Sequence, residues 1–413
     1  MVRRSLGITA AVVAAALMTG ASGAADWPQW RGPARDGVAA SFQAPKAWPE
    51  KLRKAWSVDV GKGHSSPIVV GERIYLLSRQ GENEVVSAFE LATGKVLWKD
   101  TYPAAFSPAP EARSHGSCPF ATPTHHDGRL YTFGINEILS AYDAKSGKLL
   151  WRNDYGKEYE TPRPYYGTSA SPLLVDGLCV VQVGGPGKGA LLALDAKTGQ
   201  VKWKQEGDGP GYGTSVVAEF SGVRQIVTPT QQNLVGTDLA TGKLLWQMPF
   251  KVPYDQNIIT PVVMGDLFIT SGIDLDLQAI RVAKKDGQWT TEKVWSTRPA
   301  VLYMSSPVLS GGLLYGFSTV RRGTGFALDP KTGEVRWKTE GNEGESASVV
   351  AAGDFVFFLG NDAVLRVVRR TGEAYKPVAR YTVADGATWA QPVVMDGRIL
   401  VKDADRLILW ALG

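Results

Sequence analysis

Short apolar runs alternate with polar residues along most of the chain, and glycine-rich turn signals separate the runs. Alternation with a period of two is typical of strands with one buried face, whereas an amphipathic helix repeats its apolar positions every three or four residues. One hairpin unit recurs: a small residue, any residue, an acid, two more, Thr or Ser, Gly, three more, and Trp. Its copies are AFELATGKVLW (88–98), AYDAKSGKLLW (141–151), ALDAKTGQVKW (193–203), GTDLATGKLLW (236–246) and ALDPKTGEVRW (327–337). The acid can accept backbone N–H bonds in the turn, and Gly tolerates the positive φ that the turn requires.

A second unit precedes each hairpin and predicts two further strands. It consists of Pro, a short apolar run, a Gly turn and another apolar run, as in SSPIVVGERIYLLS (65–78) and ITPVVMGDLFITSG (259–272). Eight copies align, of which two lack the Pro. Each repeat of roughly 42 to 56 residues therefore predicts four short strands, and a strand repeat of this length indicates a β-propeller.

The strand count predicts how the ring closes. The last repeat ends at Trp410 with three strands, while KAWSVDV (54–60) is an unpaired strand of the outermost type ahead of the first repeat. Pairing the two completes the last blade and removes free sheet edges. The sequence therefore predicts an all-β, eight-bladed β-propeller closed by an N-terminal strand. Residues 26–413 are predicted to form one domain, with residues 26–52 leading into the closing strand.

Residues 1–25 have the pattern of a secretory signal peptide. Arg3 and Arg4 precede an apolar run, 6–18, that is too short to span a bilayer, and small residues at its end offer a cleavage site. Both the Sec and the twin-arginine routes of export remain open. No cysteine for lipid attachment lies near the cleavage site, and no later segment is apolar enough to span a membrane. We therefore expect a periplasmic or secreted protein.

The composition limits the kinds of partner that the protein can have, and the spacing of the tryptophans suggests their structural role. Without Arg3 and Arg4, 43 of the 45 basic residues remain against 40 acidic ones, all scattered, so no nucleic-acid partner is expected. Two cysteines do not make a disulfide framework. The thirteen tryptophans largely follow the repeat. We predict burial between neighbouring blades for the docking tryptophans Trp98, Trp151, Trp203, Trp246, Trp295 and Trp337.

The acid-x-x-Thr-Gly-x-x-x-Trp repeat resembles the tryptophan-docking motif of pyrroloquinoline-quinone (PQQ) repeat proteins. The opening WPQWRGPARDG (27–37) is similar to the start of exported, BamB-like propellers of that family. The resemblance covers nearly all of 26–413 and implies the fold more than the function. Quinoprotein dehydrogenases of the family carry an adjacent cysteine pair, whereas Cys118 and Cys179 lie 61 positions apart and no C-x-x-C-H haem segment is present. BamB itself is lipid-anchored through a cysteine that this sequence lacks.

The stretch SHGSCPFATPTHHDG (114–128) combines histidine and cysteine, the usual ligands of zinc and copper. In the repeat alignment, His125 and His126 occupy inner-strand positions that are apolar in other blades, and adjacent strand residues point to opposite faces. One imidazole should therefore pack against a neighbouring blade and the other lie near the channel or turn, without a metal site. Cys179 falls in an apolar slot and should be a buried free thiol; a disulfide with Cys118 is the alternative.

The loops that enter the inner strands converge on the propeller axis, so their residues are candidates for ligand contact. The candidate axial-face positions are His64, Tyr166, Tyr212, Asn257, Tyr303, Glu345 and Trp389, with Phe120 and Met304 adjacent. Aromatic and polar side chains suit a planar or sugar-like ligand or a peptide, or they simply plug the channel mouth. Asn257, Asp255 and Glu345 offer three oxygens, against the roughly six to eight that Ca²⁺ takes.

The predicted function follows from these residues. No Ser-His-Asp set or carboxylate pair is visible, and GGPGKG (184–189) lacks the strand–loop–helix setting of a phosphate loop. We expect no catalytic residue, no metal and no cofactor. The interpretation is an exported, monomeric binding or scaffold module whose axial face takes a protein partner or a small, planar or sugar ligand. The alternative is a PQQ-dependent oxidoreductase, with PQQ and Ca²⁺ bound, or a glycan-active propeller.

Overall fold

The computed structural model describes residues 26–159 and 164–413; the predicted signal peptide, 1–25, lies outside them. The described chain folds into eight four-stranded antiparallel blades, numbered here in chain order from the first repeat. Blade 1 contains Ile68–Val70, Arg73–Gln80, Asn83–Glu90 and Val96–Pro103. Blade 2 contains Thr124–His126, Arg129–Phe133, Ile138–Asp143 and Leu149–Asp154. Blade 3 contains Leu173–Val175, Leu178–Gly185, Lys188–Asp195 and Val201–Gly207. Blade 4 contains Val216–Phe220, Val223–Pro229, Asn233–Asp238 and Leu244–Pro249.

The second half of the ring repeats this order. Blade 5 contains Val262–Met264, Leu267–Gly272, Leu275–Lys285 and Gln288–Thr297. Blade 6 contains Val308–Ser310, Leu313–Ser318, Thr324–Leu328 and Val335–Lys338. Blade 7 contains Ala347–Ala352, Phe355–Gly360, Val364–Arg369 and Pro377–Thr382, and Val38–Ala39 pairs with its first strand in parallel. Blade 8 contains Val393–Met395, Arg398–Lys402, Arg406–Ala411 and, outermost, Arg53–Asp59. The predicted eight-bladed fold is confirmed.

In the part of the chain that the structure describes, helices occur only as short segments in the connections between strands. They are Pro110–His115, Tyr155–Glu158, Pro253–Asp255 and Arg298–Ala300. Within 26–159 and 164–413, none is long and apolar enough to cross a membrane.

The ring closes through the N-terminal strand, as predicted. Arg53–Asp59 runs antiparallel to Arg406–Ala411, and Trp56 then reaches blade 1, where its indole Nε1 donates to the carbonyl of Leu91 at 3.0 Å. Because blade 8 is built from both ends of the chain, it has no hairpin turn between its outer strands. The segment before the closing strand takes the place of that turn as the docking partner of blade 7. The hydroxyl of Tyr381 in blade 7 donates to the carbonyl of Pro49 in this segment at 2.8 Å.

Most docking tryptophans bond to the turn of the next blade. Indole Nε1 donates to a turn carbonyl at 2.7–3.2 Å in the pairs Trp98–Ala144, Trp151–Ala196, Trp203–Leu239, Trp295–Pro330 and Trp337–Thr371. The indole also covers the motif glycine: a Cβ on Gly147 would lie 2.5 Å from the ring of Trp98. Gly147 is therefore required both for its φ of 76° and for the close approach of the indole.

Trp246 is the exception, because blade 5 has no Thr-Gly turn. Its outer strands, Leu275–Lys285 and Gln288–Thr297, form one long hairpin. The indole of Trp246 stacks on Phe268 of blade 5, with ring centroids 5.7 Å apart and an interplanar angle of 12°. Its Nε1 donates at 2.7 Å to the Gln225 side chain within its own blade. Stacking on the neighbouring strand thus replaces the bond to a turn carbonyl.

Burial differs among the docking tryptophans. Trp246, Trp295 and Trp337 are only 5–9 % exposed. Trp98, Trp151 and Trp203 are half-buried. Each of these tryptophans lies on the outermost strand of its blade, and the outer edge of that strand faces solvent. Full burial of the indole therefore needs additional residues packed over it, which only some blades supply.

Residues 26–43, termed here the N-terminal stopper, cross one end of the central channel and contact seven of the eight blades. The Trp27 backbone pairs with Val69 of blade 1, and the side chains of Arg31 and Arg35 are buried. Residues of the stopper donate hydrogen bonds to four other blades: Arg35 to the carbonyl of Pro172, the Trp30 indole to Thr260 Oγ1, and Arg31 to the carbonyl of Ser306 and to Gln391 Oε1. The carbonyls of Pro28 and Gly37 accept from the backbone N–H groups of His125 and Ala351. The stopper therefore joins blades that are distant in sequence.

Candidate functional site

A cavity of about 170 Å³ lies on the propeller axis, with Trp30 of the N-terminal stopper in its lining. All eight blades contribute residues from the loops that enter their inner strands. This axial pocket is lined, in blade order, by His64, Phe120, Ser171, Thr214, Thr260, Ser306, Ser348 and Trp389, together with His115, Tyr166, Tyr212, Gln256 and Tyr303. The predicted convergence of the entry loops is thus observed.

Aromatic rings form a continuous arc around the pocket. Neighbouring centroids are 5.0–6.3 Å apart in the order Phe120, His64, Trp389, His115, Tyr166 and Tyr212. His64 stacks on Trp389 with an interplanar angle of 25°, and the other contacts are edge-to-face. Both geometries are favourable for aromatic pairs, so the arc holds its members in place. The pocket thereby presents ring faces and edges to whatever enters it.

Serine and threonine hydroxyls next to the inner strands link the blades in a hydroxyl collar. In each link the backbone N–H of one entry loop donates to the hydroxyl of the next blade, at 2.8–3.2 Å. The links are Gln391 to Ser66, Ser66 to Thr122, Thr122 to Ser171, Ser171 to Thr214 and Thr260 to Ser306. The Ser or Thr that recurs before the inner strand in the sequence therefore has a structural role. Each hydroxyl still has its own proton to donate.

Among the residues that the structure describes, the lining contains no Lys, Arg, Asp or Glu, and its two histidines are neutral at pH 7. Burial lowers the pKa of His64 to about 4, and the nearby charges of Lys402 and His115 lower it further. Burial also lowers the pKa of His115, although Glu345 acts in the opposite direction. Lys402 lies behind the lining and donates to the carbonyls of Gly63 and Asp403 at 2.8 and 3.0 Å. The described lining of the axial pocket is thus uncharged at neutral pH.

Acid is expected to destabilise the protein through His64. Its pKa is about 4 in the folded chain and about 6.5 in the unfolded chain, so the unfolded state takes up a proton first as the pH falls below 6.5. Stability should decline between pH 6.5 and 4, by about 2 kcal/mol at pH 4.5. Urea unfolding at pH 7 and 4.5 should show a smaller loss in His64→Gln than in the wild type. Equal losses would contradict the assignment.

Five of the seven predicted axial residues line the pocket: His64, Tyr166, Tyr212, Tyr303 and Trp389. The adjacent Phe120 and Met304 also line it.

Asn257 and Glu345 lie outside the lining. Asn257 is buried, and its Nδ2 donates to the carbonyls of Thr230 and Phe250 at 2.7 and 2.9 Å, which ties blade 4 to the entry loop of blade 5. Glu345 is exposed. The contribution of Asn257 is therefore structural.

Thirteen of the twenty described lining residues were not predicted from the sequence. Ten of them lie in or next to the inner strands, among them the collar residues Ser171, Thr214 and Ser306. The other three, Trp30, His115 and Gln256, lie outside the repeat. Trp30 belongs to the N-terminal stopper, His115 ends the helical turn in the linker between blades 1 and 2, and Gln256 follows the turn Pro253–Asp255. The alignment of repeats therefore could not place these residues at the axis. The sequence drew attention to the stretch around His115 only because histidine is rare in the chain.

The remaining histidines occupy the positions predicted for them. His125 stacks against Tyr75 of blade 1, with centroids 6.1 Å apart, and His126 lies at the turn, 3.6 Å from the Asp127 carboxylate. Cys118 and Cys179 are both buried and free, and burial raises the pKa of Cys179 to about 12. The described residues contain no group of three or more His, Cys, Asp or Glu side chains placed to hold a metal ion.

The pocket residues do not fit PQQ with Ca²⁺. PQQ is a fused-ring quinone bearing several carboxylates, and a buried carboxylate needs a cationic or hydrogen-bonded partner for each charge. The described lining residues offer no cation, and the cavity volume of about 170 Å³ is close to the roughly 150 Å³ that takes a single benzene ring. Of the oxygens considered for Ca²⁺, Asp255 accepts from Gln231 at 2.6 Å, and neither Asn257 nor Glu345 reaches the lining.

Comparison with known proteins agrees with the fold and the repeat. The chain is 25 % identical to outer membrane protein assembly factor BamB of Burkholderia pseudomallei over 85 % of each sequence. It is similar to the crystal structure of BamB from Moraxella catarrhalis, with a TM-score of 0.62 and 15 % identity over 87 % of this chain and 99 % of the other.

A quinohemoprotein alcohol dehydrogenase from Comamonas testosteroni is also similar, with a TM-score of 0.65 and 16 % identity over 94 % of this chain and 81 % of the other. At these identities the two solved structures show the fold alone. The family model described as outer membrane protein assembly factor BamB matches residues 82–339. The chain therefore belongs to this BamB family of PQQ-repeat β-propellers.

Proposed function

We propose that this protein is an exported, non-catalytic propeller that acts as a binding or scaffold module, with the axial pocket as its recognition site. One observation carries the proposal: the pocket is lined by aromatic rings and hydroxyls, and none of its described lining residues has an ionised side chain. Such a surface favours an uncharged ligand or side chain with a flat apolar face, because burial of an unpaired charge there costs several kcal/mol.

The titration of the lining residues argues against catalysis. A general acid or base works best with a pKa near the working pH. In the pocket, burial moves the pKa values away from neutrality: that of His64 falls to about 4, and that of Tyr303 rises to about 12. Some of the serine and threonine hydroxyls of the lining lie in the collar, and within the described chain no lining hydroxyl is hydrogen-bonded to a histidine side chain. The pocket therefore lacks an activated nucleophile.

Export and a protein partner are supported by two independent features. Residues 1–25 have the n-region, apolar run and small-residue end of a signal peptide. The relative from Burkholderia pseudomallei is named as an outer membrane protein assembly factor, and the chain covers 85 % of its length. A partner that inserts an uncharged side chain into the axial pocket would use the propeller as a scaffold.

The alternative, a PQQ-dependent oxidoreductase, rests on fold and sequence similarity to quinoprotein dehydrogenases. A dye-linked oxidation assay with PQQ, Ca²⁺ and a panel of alcohols and sugars separates the two functions. We expect no turnover above the protein-free control. PQQ-dependent turnover that disappears in Trp389→Ala but persists in Trp289→Ala, a tryptophan in the distal hairpin of blade 5, would contradict the proposal.

A further inference from the structure

We infer that the axial pocket binds one uncharged pyranose ring, either a free hexose or the terminal unit of a glycan. The inference rests on the proposed binding function and specifies the chemical class of the ligand. Three features of the pocket carry it: its size with the aromatic arc, the pairing of unused donors with an unused acceptor, and the absence of charge.

The size and the arc suit one saturated sugar ring. The cavity of about 170 Å³ is close to the roughly 150 Å³ that holds benzene, and it is partly open to solvent, so it takes the ring of one pyranose with some exocyclic groups at the opening. A pyranose has a face of C–H groups that packs against an aromatic ring while its hydroxyls point outward. Trp389 and Tyr303 are half-buried members of the lining, so each keeps ring surface for such packing. The hydroxyls of the sugar then meet the polar part of the lining.

That polar part offers donors whose protons are unused. Ser171, Thr214 and Ser306 each accept a backbone N–H in the collar, but within the described chain none of the three hydroxyls donates to an acceptor. A hydroxyl is one donor and two acceptor sites, so each can still donate to a ligand oxygen.

An unused acceptor lies in the same lining. Gln256 is 3 % exposed, its Nε2 donates to the hydroxyl of Tyr166, and its Oε1 accepts no hydrogen bond from any described residue. A buried acceptor without a donor costs roughly 1–3 kcal/mol, which a ligand O–H would recover. A sugar hydroxyl both donates and accepts, whereas a ring ether or a quinone only accepts. The pairing of free donors with a free acceptor therefore favours a sugar.

The absence of charged side chains from the described lining determines which sugars the pocket favours. A glucuronate carboxylate or a sugar phosphate would find no cation among the described lining residues, since Lys402 is buried behind them and already donates to Gly63 and Asp403. Burial of an unpaired anion is strongly unfavourable. Neutral hexoses should therefore bind in preference to acidic ones.

Isothermal titration calorimetry and tryptophan fluorescence test the inference on the protein without residues 1–25. The probes are D-glucose, D-galactose and N-acetylglucosamine, with glucuronate and glucose 6-phosphate as charged controls and 1,4-dioxane as a ring that only accepts hydrogen bonds. We expect at least one neutral hexose to bind with a Kd on the order of 1 mM, a weak affinity of about 4 kcal/mol. The charged sugars should bind at least tenfold more weakly.

Substitutions in and outside the axial pocket test whether the hexose binds there. Trp389→Ala and Gln256→Met should each weaken hexose binding at least tenfold, whereas Trp389→Phe, which keeps a ring, and Trp289→Ala should bind as the wild type does. Three results would overturn the pyranose assignment but not the proposed binding function. They are saturation by dioxane but by no hexose, equal binding of glucose and glucose 6-phosphate, and no binding of any probe. PQQ-dependent turnover in the axial pocket would overturn both.

Discussion

Removal of residues 26–60 is expected to cost the propeller on the order of 5 kcal/mol or more, which is most of the stability of a typical domain. The deletion takes away the N-terminal stopper and the closing strand together. The strand Arg406–Ala411 would lose its outer partner, exposing an unpaired edge whose residues Leu407, Ile408 and Leu409 are buried in the closed ring. The buried rings of Trp27 and Phe42 would be lost as well.

Urea unfolding followed by circular dichroism measures the effect, with a chain that begins at Asp26 as the matched control. The control should unfold in one cooperative transition. The shortened chain should show a much lower midpoint or no cooperative transition, and addition of a peptide spanning 26–60 should restore part of the lost stability. The same midpoint in both proteins would show that the ring does not depend on closure by the N-terminal strand.

Replacement of a buried docking tryptophan is expected to be the most destabilising single substitution in the blades. Trp295→Ala and Trp337→Ala should each cost about 3–5 kcal/mol, the range for truncation of a large core side chain. Each removes a buried indole together with its bond to the next blade, to Pro330 or Thr371. Trp98→Ala should cost less, because Trp98 is half-buried.

Denaturant midpoints and slopes give these free energies, and Trp289→Ala in the distal hairpin of blade 5 serves as the control, with a cost below about 1 kcal/mol expected at this half-buried site. An unchanged midpoint in both Trp295→Ala and Trp337→Ala would contradict the interpretation that the indoles hold neighbouring blades together. A larger loss in Trp98→Ala than in Trp295→Ala would contradict the role assigned to burial.

The fold was predictable because the same local rules recur in every repeat. A turn glycine such as Gly147 and a docking residue such as Trp98 specify one hairpin each, and their repetition specifies the ring. The closing strand around Trp56 was found by counting strands. The contact of Trp246 with Phe268 was not predictable in this way, because the turn that would have received its indole is absent from blade 5 and a tertiary contact takes its place.

The pocket was predictable only where the repeat reaches it. His64 and Trp389 precede inner strands, so the alignment placed both at the axis. Trp30, His115 and Gln256 come from segments that have no counterpart in other blades, and only the folded ring brings them to the axis. Position in the repeat places a backbone at the axis, but the direction of a side chain depends on its hydrogen-bond partners.

We propose that the axial pocket binds an uncharged ligand and holds no quinone cofactor. Titration of the protein with PQQ in excess Ca²⁺, followed by the quinone absorption and by metal analysis, tests it most directly. We predict no saturable change in absorption and no stoichiometric Ca²⁺ in the protein as purified. Stoichiometric binding of PQQ that is lost in Trp389→Ala and retained in Trp289→Ala would contradict the claim.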